Sequence, residues 1–214
     1  MGNFFAIPHG THDHRQYVVK TGLCVLTYPQ GLDWNGETVK LVIGIASPAF
    51  TAFTQQVAQL IGDQPAQTML NAGTLSSYGK GLEKLLAHPG IQHLAGNAQA
   101  GNQAQPQLFK AAASLLIDGD EVLQEEVFGP TTVAVEVNGH EQLRDALLGL
   151  RGQLTATLIG EAADFEQFGE LTGLLEQKGV HNYLIEVAGA VRSKGHNDKG
   201  NPWRVAIVEP SDRP

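Results

Sequence analysis

The run Leu41-Val-Ile-Gly-Ile-Ala46 contains no polar side chain, and no other segment restricts the fold as strongly. Successive side chains of a strand point to opposite faces, so a run that is apolar at every position predicts a strand covered on both faces. Pro48 follows almost at once, and apolar residues then recur at helical spacing as far as Ile61. This pattern predicts a helix that begins near the proline. A buried strand that leads directly into a helix favours an α/β fold.

Strand-like and helix-like segments alternate along the rest of the chain. Runs of β-branched residues predict strands, and apolar residues three or four positions apart predict helices. The predicted strands are 17–28, 39–46, 114–117, 131–137 and 155–159, with a closing pair at 180–192 and 203–208. The predicted helices are 48–61, 78–87, 141–148 and 162–177, and small polar residues predict a loop at 96–106. The predicted fold class is therefore α/β, a mixed sheet with packed helices.

Cysteine content and hydropathy limit the environment in which the protein works. Cys24 is the one cysteine among 214 residues, which excludes an internal disulfide and a structural Cys₂ or Cys₄ zinc site. The first residues lack a basic stretch followed by a sustained apolar one, so we expect no secretory signal. No window approaches the roughly 20 apolar residues of a membrane-spanning helix. These features predict a cytoplasmic protein.

The formal net charge of −8 is distributed unevenly along the chain. Residues 1–46 are neutral overall, residues 47–178 carry a net charge of −9, and residues 179–214 carry +1. No basic patch is present to follow a phosphate backbone, so we predict no nucleic-acid partner. The uneven charge is also a first indication that the chain combines different parts.

Four motifs in residues 1–46 carry a first family resemblance. They are Ala6-Ile-Pro-His-Gly-Thr11, Lys20-Thr-Gly-Leu23, Tyr28-Pro-Gln-Gly31 and Leu41-Val-Ile-Gly-Ile-Ala46. Together they resemble the mannitol/fructose-type IIA domain of the sugar phosphotransferase system. In that family the histidine of Pro-His-Gly-Thr takes a phosphoryl group from a histidine phosphocarrier protein and passes it to a sugar-specific partner. The resemblance therefore implies that His9 is the phosphoacceptor and that the phosphocarrier is a partner.

The chemistry of His9 is compatible with this role, because a neutral imidazole nitrogen is a good nucleophile toward phosphorus. The family places a second histidine shortly after the Ile-Gly-Ile-Ala strand, and Ser47-Pro-Ala-Phe-Thr51 contains none. His9, His12, Asp13 and His14 also form a cluster of metal-ligating residue types. The alternative is a solvated loop at an exposed terminus, and we predict no metal site.

Motifs between residues 48 and 178 carry a second resemblance. They are Gln67-Thr-Met-Leu-Asn71, Tyr78-Gly-Lys-Gly81, His88-Pro-Gly-Ile91 and Leu123-Gln-Glu-Glu-Val-Phe-Gly-Pro130. This segment resembles the C-terminal part of aldehyde dehydrogenases, in particular those that act on 2-oxoglutarate semialdehyde. In that family the second glutamate of Glu-Glu-x-Phe-Gly-Pro holds the nicotinamide ribose and the phenylalanine borders the ring. The resemblance implies these roles for Glu126 and Phe128.

A structural interpretation of the same two residues is that Glu126 is a carboxylate at the start of a strand and Phe128 is a core aromatic. Dehydrogenation needs a positioned thiolate and a bound dinucleotide. In the family the catalytic cysteine, the glycine-rich turn and the general-base glutamate lie upstream of this segment. Cys24 lies in the first segment, on a predicted strand. We therefore predict no bound cofactor.

The third segment, residues 179–214, resembles the FAD:protein FMN transferases. The matching stretches are Gly179–Arg192 and Lys194–Pro210. That family has Gly-Gly-Glu where this chain has Ala188-Gly-Ala190, so the carboxylate at the flavin-facing turn is absent. The segment therefore supplies a hairpin without its acidic residue.

These resemblances divide the chain at residues 46/47 and 178/179. We predict an α/β protein assembled from three unrelated fragments, recombined or constructed, which form one shared globular unit or separate ones. Because each parental active site is incomplete, we expect no defined enzymatic activity, no cofactor and no obligatory partner. The two alternatives are a phosphohistidine carrier that acts through His9 and a subunit related to NAD(P)-dependent aldehyde dehydrogenases.

Overall fold

The structure of the protein is a computed structural model that describes residues 24–28, 40–97, 101–151, 155–160, 170–177, 182–187 and 190–195. Sixteen elements occur in these ranges. The strands are β1 (Cys24–Tyr28), β2 (Leu41–Ile45), β3 (Gln67–Thr68), β4 (Ile91–Ala95), β5 (Gln103–Ala104), β6 (Gln107–Ala112), β7 (Thr131–Val137), β8 (Thr155–Gly160), β9 (Asn182–Val187) and β10 (Ala190–Lys194). The helices are α1 (Pro48–Gly62), α2 (Ala72–Ala87), α3 (Ala113–Ile117), α4 (Glu121–Gln124), α5 (His140–Gly149) and α6 (Leu171–Gln177).

Eight of the described strands form one mixed sheet in the order β10-β9-β8-β1-β2-β7-β6-β4. Strands β2, β6 and β7 are parallel neighbours, as are β8 and β9. Strand β1 is antiparallel to both β2 and β8, so these two groups of parallel strands run in the same direction. Strands β3 and β5 form a separate two-stranded sheet. The α/β class with a mixed sheet and packed helices is confirmed.

Strand β2 occupies the centre of this sheet and is buried on both faces, as the apolar run predicts. Leu41 and Ile43 pair with Val133 and Val135 of β7, and all four side chains belong to the main apolar core. Helices α2, α3 and α5 contribute buried leucines to the same core, namely Leu82, Leu85, Leu116, Leu143 and Leu147. This arrangement packs the strand at 41–45 against helices that follow residue 71.

The opposite face of the sheet is covered by α1, which packs against β4 and β6. Ser47 caps this helix by accepting a hydrogen bond from the backbone N–H of Phe50 at 3.1 Å. The helix begins at Pro48, as predicted, because proline at the first position has no N–H to lose and a φ angle suited to a helix. The buried Phe50 ring lies directly over Gly44 of β2, where a Cβ atom would overlap the ring.

Helix α2 begins six residues before the predicted start at residue 78. Asn71 is its cap, and the Asn71 Oδ1 atom accepts from the Thr74 N–H at 2.8 Å. The first turn, Ala-Gly-Thr, shows no apolar periodicity, which is why the spacing of leucines placed the start too late. The predicted end at His88-Pro-Gly90 is confirmed, because the helix stops at Ala87.

The predicted strand at 114–117 is wrong, since these residues lie in α3. The strand lies immediately upstream in β6, where Gln107 and Lys110 hide the apolar pattern. Gly119 ends the helical stretch with a φ of +70°, and its N–H bonds to the Leu116 carbonyl at 3.1 Å. A short apolar run is compatible with either state, and here the turn glycine favours a helix.

The prediction of one strand over 180–192 is also wrong. The described part of this stretch forms two strands, β9 and β10, which pair antiparallel from Ala190↔Val187 to Lys194↔Tyr183. The strand predicted at 203–208 lies outside the described residues, as do 17–23, the turn at 29–36 and the first part of the helix predicted at 162–177. The predicted loop at 96–106 contains the short strand β5, and β4 was not predicted.

The remaining predictions of regular structure are confirmed where the structure describes them. They concern the strands at 39–46, 131–137 and 155–159 and the helices at 48–61 and 141–148. Among the described residues, no helix has both the length and the apolar character needed to cross a membrane.

Candidate functional site

Residues 125–130 connect α4 to β7 and contain both residues of the predicted ribose clamp; we call them the 125–130 loop. The loop ends where β7 begins, and Thr131 pairs with Gln107 at the start of β6. Leu41, the first residue of β2, pairs with Val133, and the Val133 N–H donates to the Lys40 carbonyl at 2.9 Å. The loop therefore lies at the amino ends of three parallel strands.

Two glycines bring the 125–130 loop against α2. A Cβ atom at Gly81 of α2 would lie 2.8 Å from a methyl carbon of Val127, and one at Gly129 would overlap the ring of Tyr78. Gly129 has no positive φ, so glycine is required there for space and not for turn geometry. Close packing against a buried aromatic ring holds the loop in one position.

Gln124 at the end of α4 joins three parts of the chain. Its carbonyl accepts from the Lys40 ammonium at 2.9 Å. Its side-chain amide donates to the Gly149 carbonyl at 3.2 Å, and its side-chain oxygen accepts from the Arg151 N–H at 2.9 Å. A buried amide needs partners for both ends. These bonds fix the residue that precedes the 125–130 loop.

The Lys40 amine, which bonds to the Gln124 carbonyl, is largely removed from water. Burial lowers the pKa of Lys40 to about 8, with a further lowering from the Arg151 guanidinium. Glu126 and Glu125 act in the opposite direction, because their negative charges favour the ammonium form. Lys40 and Glu126 are thus electrostatic neighbours, although they belong to different segments of the sequence.

A network of buried hydrogen bonds connects Tyr78 of α2 to residues near the amino end of β6. The Tyr78 hydroxyl donates to the Gln105 carbonyl at 2.9 Å, and burial raises the pKa of Tyr78 to about 12. The Gln105 side chain bonds to the Gln64 carbonyl at 2.6 Å and to the Asn97 N–H at 3.0 Å. The network ties α2 to the loops around it.

The alternative that made Phe128 a core aromatic is wrong, because 53% of this side chain is exposed. Glu126 is partly buried and lies in the same loop. The structure therefore brings the two predicted cofactor-binding residues together at one edge of the sheet. His9, His12, Asp13 and His14 lie outside the described residues. Within the described ranges, no three metal-ligating side chains come close enough to hold an ion.

Cys24 lies at the other end of the sheet from the 125–130 loop. Its backbone pairs with Gly44 of β2, whereas Lys40, beside the loop, precedes the first residue of that strand. Gly44 is four residues after Lys40, and four residues of extended chain span about 13 Å, which is the separation along β2 between the backbone of Cys24 and that of Lys40. No Gly-x-Gly-x-x-Gly sequence occurs in the chain.

Sequence reasoning did not find Lys40, Tyr78 or the buried glutamines as residues that shape this site. Lys40 carries a weak signal, since it is the charged residue that immediately precedes the apolar run. The glutamines carry none, because glutamine is mostly found on protein surfaces and its burial depends on partners distant in sequence.

The fold of the chain is similar to part of the fold seen in solved dehydrogenase structures. The crystal structure of the delta-pyrroline-5-carboxylate dehydrogenase from Mycobacterium tuberculosis superimposes with a TM-score of 0.57 at 12% identity. The match covers 86% of this chain and 40% of that one. At such low identity the similarity concerns the fold alone.

Individual proteins resemble the chain more closely in sequence. An alpha-ketoglutaric semialdehyde dehydrogenase from Acinetobacter baylyi is 43% identical over 176 residues, which cover 72% of this chain and 33% of the relative. A mannitol-specific phosphotransferase enzyme IIA component from Staphylococcus aureus is 54% identical over 46 residues, or 22% of this chain and 32% of the relative. An FAD:protein FMN transferase from Salmonella typhimurium is 44% identical over 75 residues, or 35% of this chain and 20% of the relative.

Two family models match separate ends of the chain. The model described as phosphoenolpyruvate-dependent sugar phosphotransferase system, EIIA 2, matches residues 1–76, and the ApbE family model matches residues 162–214. All three resemblances are therefore confirmed, and the chain spans a third or less of the length of the semialdehyde dehydrogenase, the IIA component and the FMN transferase. The predicted boundaries at 46/47 and 178/179 stay predictions; the first model extends beyond residue 46 and the second begins before residue 179.

Proposed function

We propose that this chain is a mosaic α/β protein without dehydrogenase activity of its own. The observation that carries the proposal is the separation between Cys24 and the 125–130 loop along β2. A thiolate must reach the carbonyl carbon that is positioned beside the cofactor, and covalent attack requires the reacting atoms about 3–3.5 Å apart. Cys24 pairs near the carboxyl end of β2, whereas the 125–130 loop lies at the amino end of that strand, so the two do not meet this condition. A cytoplasmic location remains part of the proposal.

The proposal is tested by incubating the chain with 2-oxoglutarate semialdehyde and NAD or NADP while absorbance at 340 nm is followed. We expect no reduced nicotinamide above a blank without protein. Two single variants, Cys24→Ser and Glu126→Gln, are assayed in parallel as controls. Turnover that disappears in Cys24→Ser would overturn the proposal, because it would require the thiol and the loop to act together.

A second candidate function is phosphoryl transfer through His9. It is supported by the family model that matches residues 1–76 and by the IIA component that is 54% identical over 46 residues. An imidazole nitrogen accepts a phosphoryl group as a phosphoramidate, which acid hydrolyses. Incubation with radiolabelled phosphoenolpyruvate, enzyme I and the histidine phosphocarrier should label wild-type protein and leave His9→Ala unlabelled. Equal labelling of both proteins would exclude His9 as the acceptor.

A third candidate is a subunit that associates with an aldehyde dehydrogenase and acts only in that complex. The supporting observation is the similarity of fold and sequence over most of the chain. Light scattering of the purified chain, alone and mixed with a homologous dehydrogenase, should then show a complex larger than either component. An unchanged monomer mass in the mixture removes this candidate.

A further inference from the structure

The chain contains two Asn-Gly sequences, at 35–36 and at 138–139, and the structure describes the second. Asn138 and Gly139 connect the end of β7 to the first residue of α5, and Asn138 is exposed. Glycine has no Cβ atom, so the backbone nitrogen of Gly139 is not shielded by a side chain of its own. The sequence therefore places an amide carbonyl beside an accessible backbone nitrogen.

The backbone around Asn138 is fixed, whereas its side chain is not. The Asn138 N–H donates to the Gln142 Oε1 atom at 2.6 Å, and the Gly139 carbonyl accepts from the Leu143 N–H at 3.0 Å. Among the described residues, nothing accepts a hydrogen bond from the Gly139 N–H, and the Asn138 side-chain amide makes no hydrogen bond. The amide can therefore rotate towards the nitrogen of the next residue without losing a bond.

The turn at Gly139 is also open. Gly139 has a φ of +97°, and no atom lies within 4 Å of the position that a Cβ atom would take. The turn therefore has room for a ring that includes the Gly139 nitrogen.

Asn71 provides the opposite case at the start of α2. It is exposed like Asn138. Its Oδ1 atom accepts from the Thr74 N–H at 2.8 Å and from the Thr74 hydroxyl at 3.2 Å, so the amide is held in place. The next residue is Ala72, which has a Cβ atom beside its nitrogen. Exposure alone therefore does not distinguish the two asparagines, whereas hydrogen bonding and the following residue do.

We propose that Asn138 is a self-modification site, at which the Gly139 backbone nitrogen cyclises onto the side-chain amide and converts the residue to aspartyl and isoaspartyl forms. The unbonded amide and N–H, the glycine at position 139 and the open turn support this assignment. The nucleophile and the carbonyl belong to adjacent residues, so the reaction is intramolecular and needs no partner.

The reaction is a cyclisation followed by hydrolysis, without a change of oxidation state. The Gly139 nitrogen loses its proton and attacks the Asn138 Cγ atom, and the carbonyl electron pair moves to oxygen. The electron pair then returns and the C–N bond to the side-chain nitrogen breaks, so ammonia leaves and a succinimide remains. Water opens the ring at either carbonyl and gives an aspartyl or an isoaspartyl linkage. One asparagine and one water give one acid and one ammonia.

The two products differ in their effect on α5. The aspartyl form keeps the backbone unchanged, and its negative charge is favourable near the amino end of a helix. The isoaspartyl form adds one carbon atom to the backbone between β7 and α5, where the bonds from Asn138 to Gln142 and from Leu143 to Gly139 fix the spacing. Helix α5 supplies Leu143 and Leu147 to the apolar core. We therefore expect the isoaspartyl chain to unfold at a lower urea concentration than the fresh protein, and Asn138→Asp to unfold at about the same concentration.

The test is incubation of the native full chain at mildly alkaline pH, followed at intervals by peptide mass spectrometry. Each event replaces an NH₂ group by OH, and fragmentation distinguishes aspartyl from isoaspartyl peptides. Two hydrogen bonds must break before the Asn71 amide can rotate, so we expect Asn138 to react at least about tenfold faster than Asn71. Asn138→Gln is the matched variant. It keeps an amide at this position but would have to form a six-membered ring, and we expect residue 138 to stay unmodified.

Three results would overturn the proposal. The first is a rate at Asn138 no greater than the rate at Asn71 in the native chain. The second is modification of Asn138 in urea only, because the folded turn would then prevent cyclisation. The third is an aspartyl residue as the sole product, because direct hydrolysis gives that product alone whereas a succinimide opens at both carbonyls. All three measurements use the wild-type chain, so they do not depend on the folding of a variant.

Discussion

The ammonium of Lys40 is stabilised less in the folded chain than in water, and this has a consequence for stability. Its pKa is about 8 when folded, against 10.5 for the unperturbed side chain. Between these values the unfolded chain holds a proton that the folded chain has released. Stability therefore rises as pH increases from 8 to 10.5, and the cost of burying the charge is fully present below pH 8.

We accordingly expect Lys40→Met to be more stable than the wild-type chain at pH 7, because methionine fills the site without a charge. The advantage should diminish as pH approaches 10. Urea denaturation of both proteins at several pH values measures the difference. A difference independent of pH would show that the Lys40 charge does not contribute to it.

The buried hydroxyl of Tyr78 links α2 to the backbone of Gln105. Tyr78→Phe removes the hydrogen bond to the Gln105 carbonyl, which retains a second bond from the Gln107 side chain at 3.1 Å. We expect a loss of about 1 kcal/mol in the free energy of unfolding. The folded pKa of Tyr78 is about 12, against 10.0 unperturbed, so the wild type should lose stability relative to the variant as pH rises from 10 to 12. Thermal denaturation across that range provides the comparison.

Gly129 lies where the 125–130 loop touches Tyr78. Gly129→Ala would place a methyl group in the tyrosine ring, and we expect a destabilisation of about 2 kcal/mol. Gly62→Ala is the matched control, because nothing lies within 4 Å of a Cβ atom there. Equal melting temperatures of the two variants would contradict the tight packing of the loop on α2.

Helix α2 depends on its cap for the early start at Ala72. Asn71→Ala removes the acceptor of the Thr74 N–H and should cost about 1 kcal/mol. Asn71→Asp should retain most of the stability, since a carboxylate accepts the same bond and favours a helix amino end. Circular dichroism during urea denaturation measures both variants, and an unchanged midpoint for Asn71→Ala would show that the cap is dispensable.

The connection from β2 to α1 shows which local features can be predicted from sequence. An uninterrupted apolar run, a serine cap and a proline at the first helical position are all local signals, so both elements lie where expected. The failure at 114–117 has the opposite cause. The apolar run Leu115-Leu-Ile117 is by itself compatible with a strand or with a buried helical turn. Gly119 ends the helical turn, and the packing of α3 against α5 stabilises it.

One apolar core contains side chains from the first and second sequence segments. Leu41 and Ile43 belong to the same cluster as Leu116 and Leu147. This shared packing predicts that the strand at 41–45 unfolds together with the helices that cover it, in a single cooperative transition.

Ile43→Ala and Leu147→Ala test this expectation from opposite sides of the 46/47 boundary. Each removes a fully buried side chain and should cost about 2–5 kcal/mol. Both should lower the midpoint of the same transition, whether followed by circular dichroism or by hydrogen exchange. Leu70→Ala is the control, because 89% of Leu70 is exposed. Two transitions, each sensitive to one variant, would show that the segments unfold separately.

The candidate site could be predicted only in part. Glu126 and Phe128 were found because a motif with a family resemblance is a contiguous stretch of sequence. The half-exposed position of Phe128 was not foreseen, since an aromatic residue in a short segment gives no information about what covers it. Lys40 enters the site through a contact with Gln124, 84 positions away.

The sequence by itself determined the α/β class, the three resemblances and most elements of the described chain, because propensity, capping and periodicity act over a few neighbouring residues. The tertiary structure alone decided that β2 lies at the centre of the sheet, that Lys40 meets the 125–130 loop and that Cys24 lies far from it. These relations depend on strand order and register, which arise when distant segments bury one another's apolar surfaces.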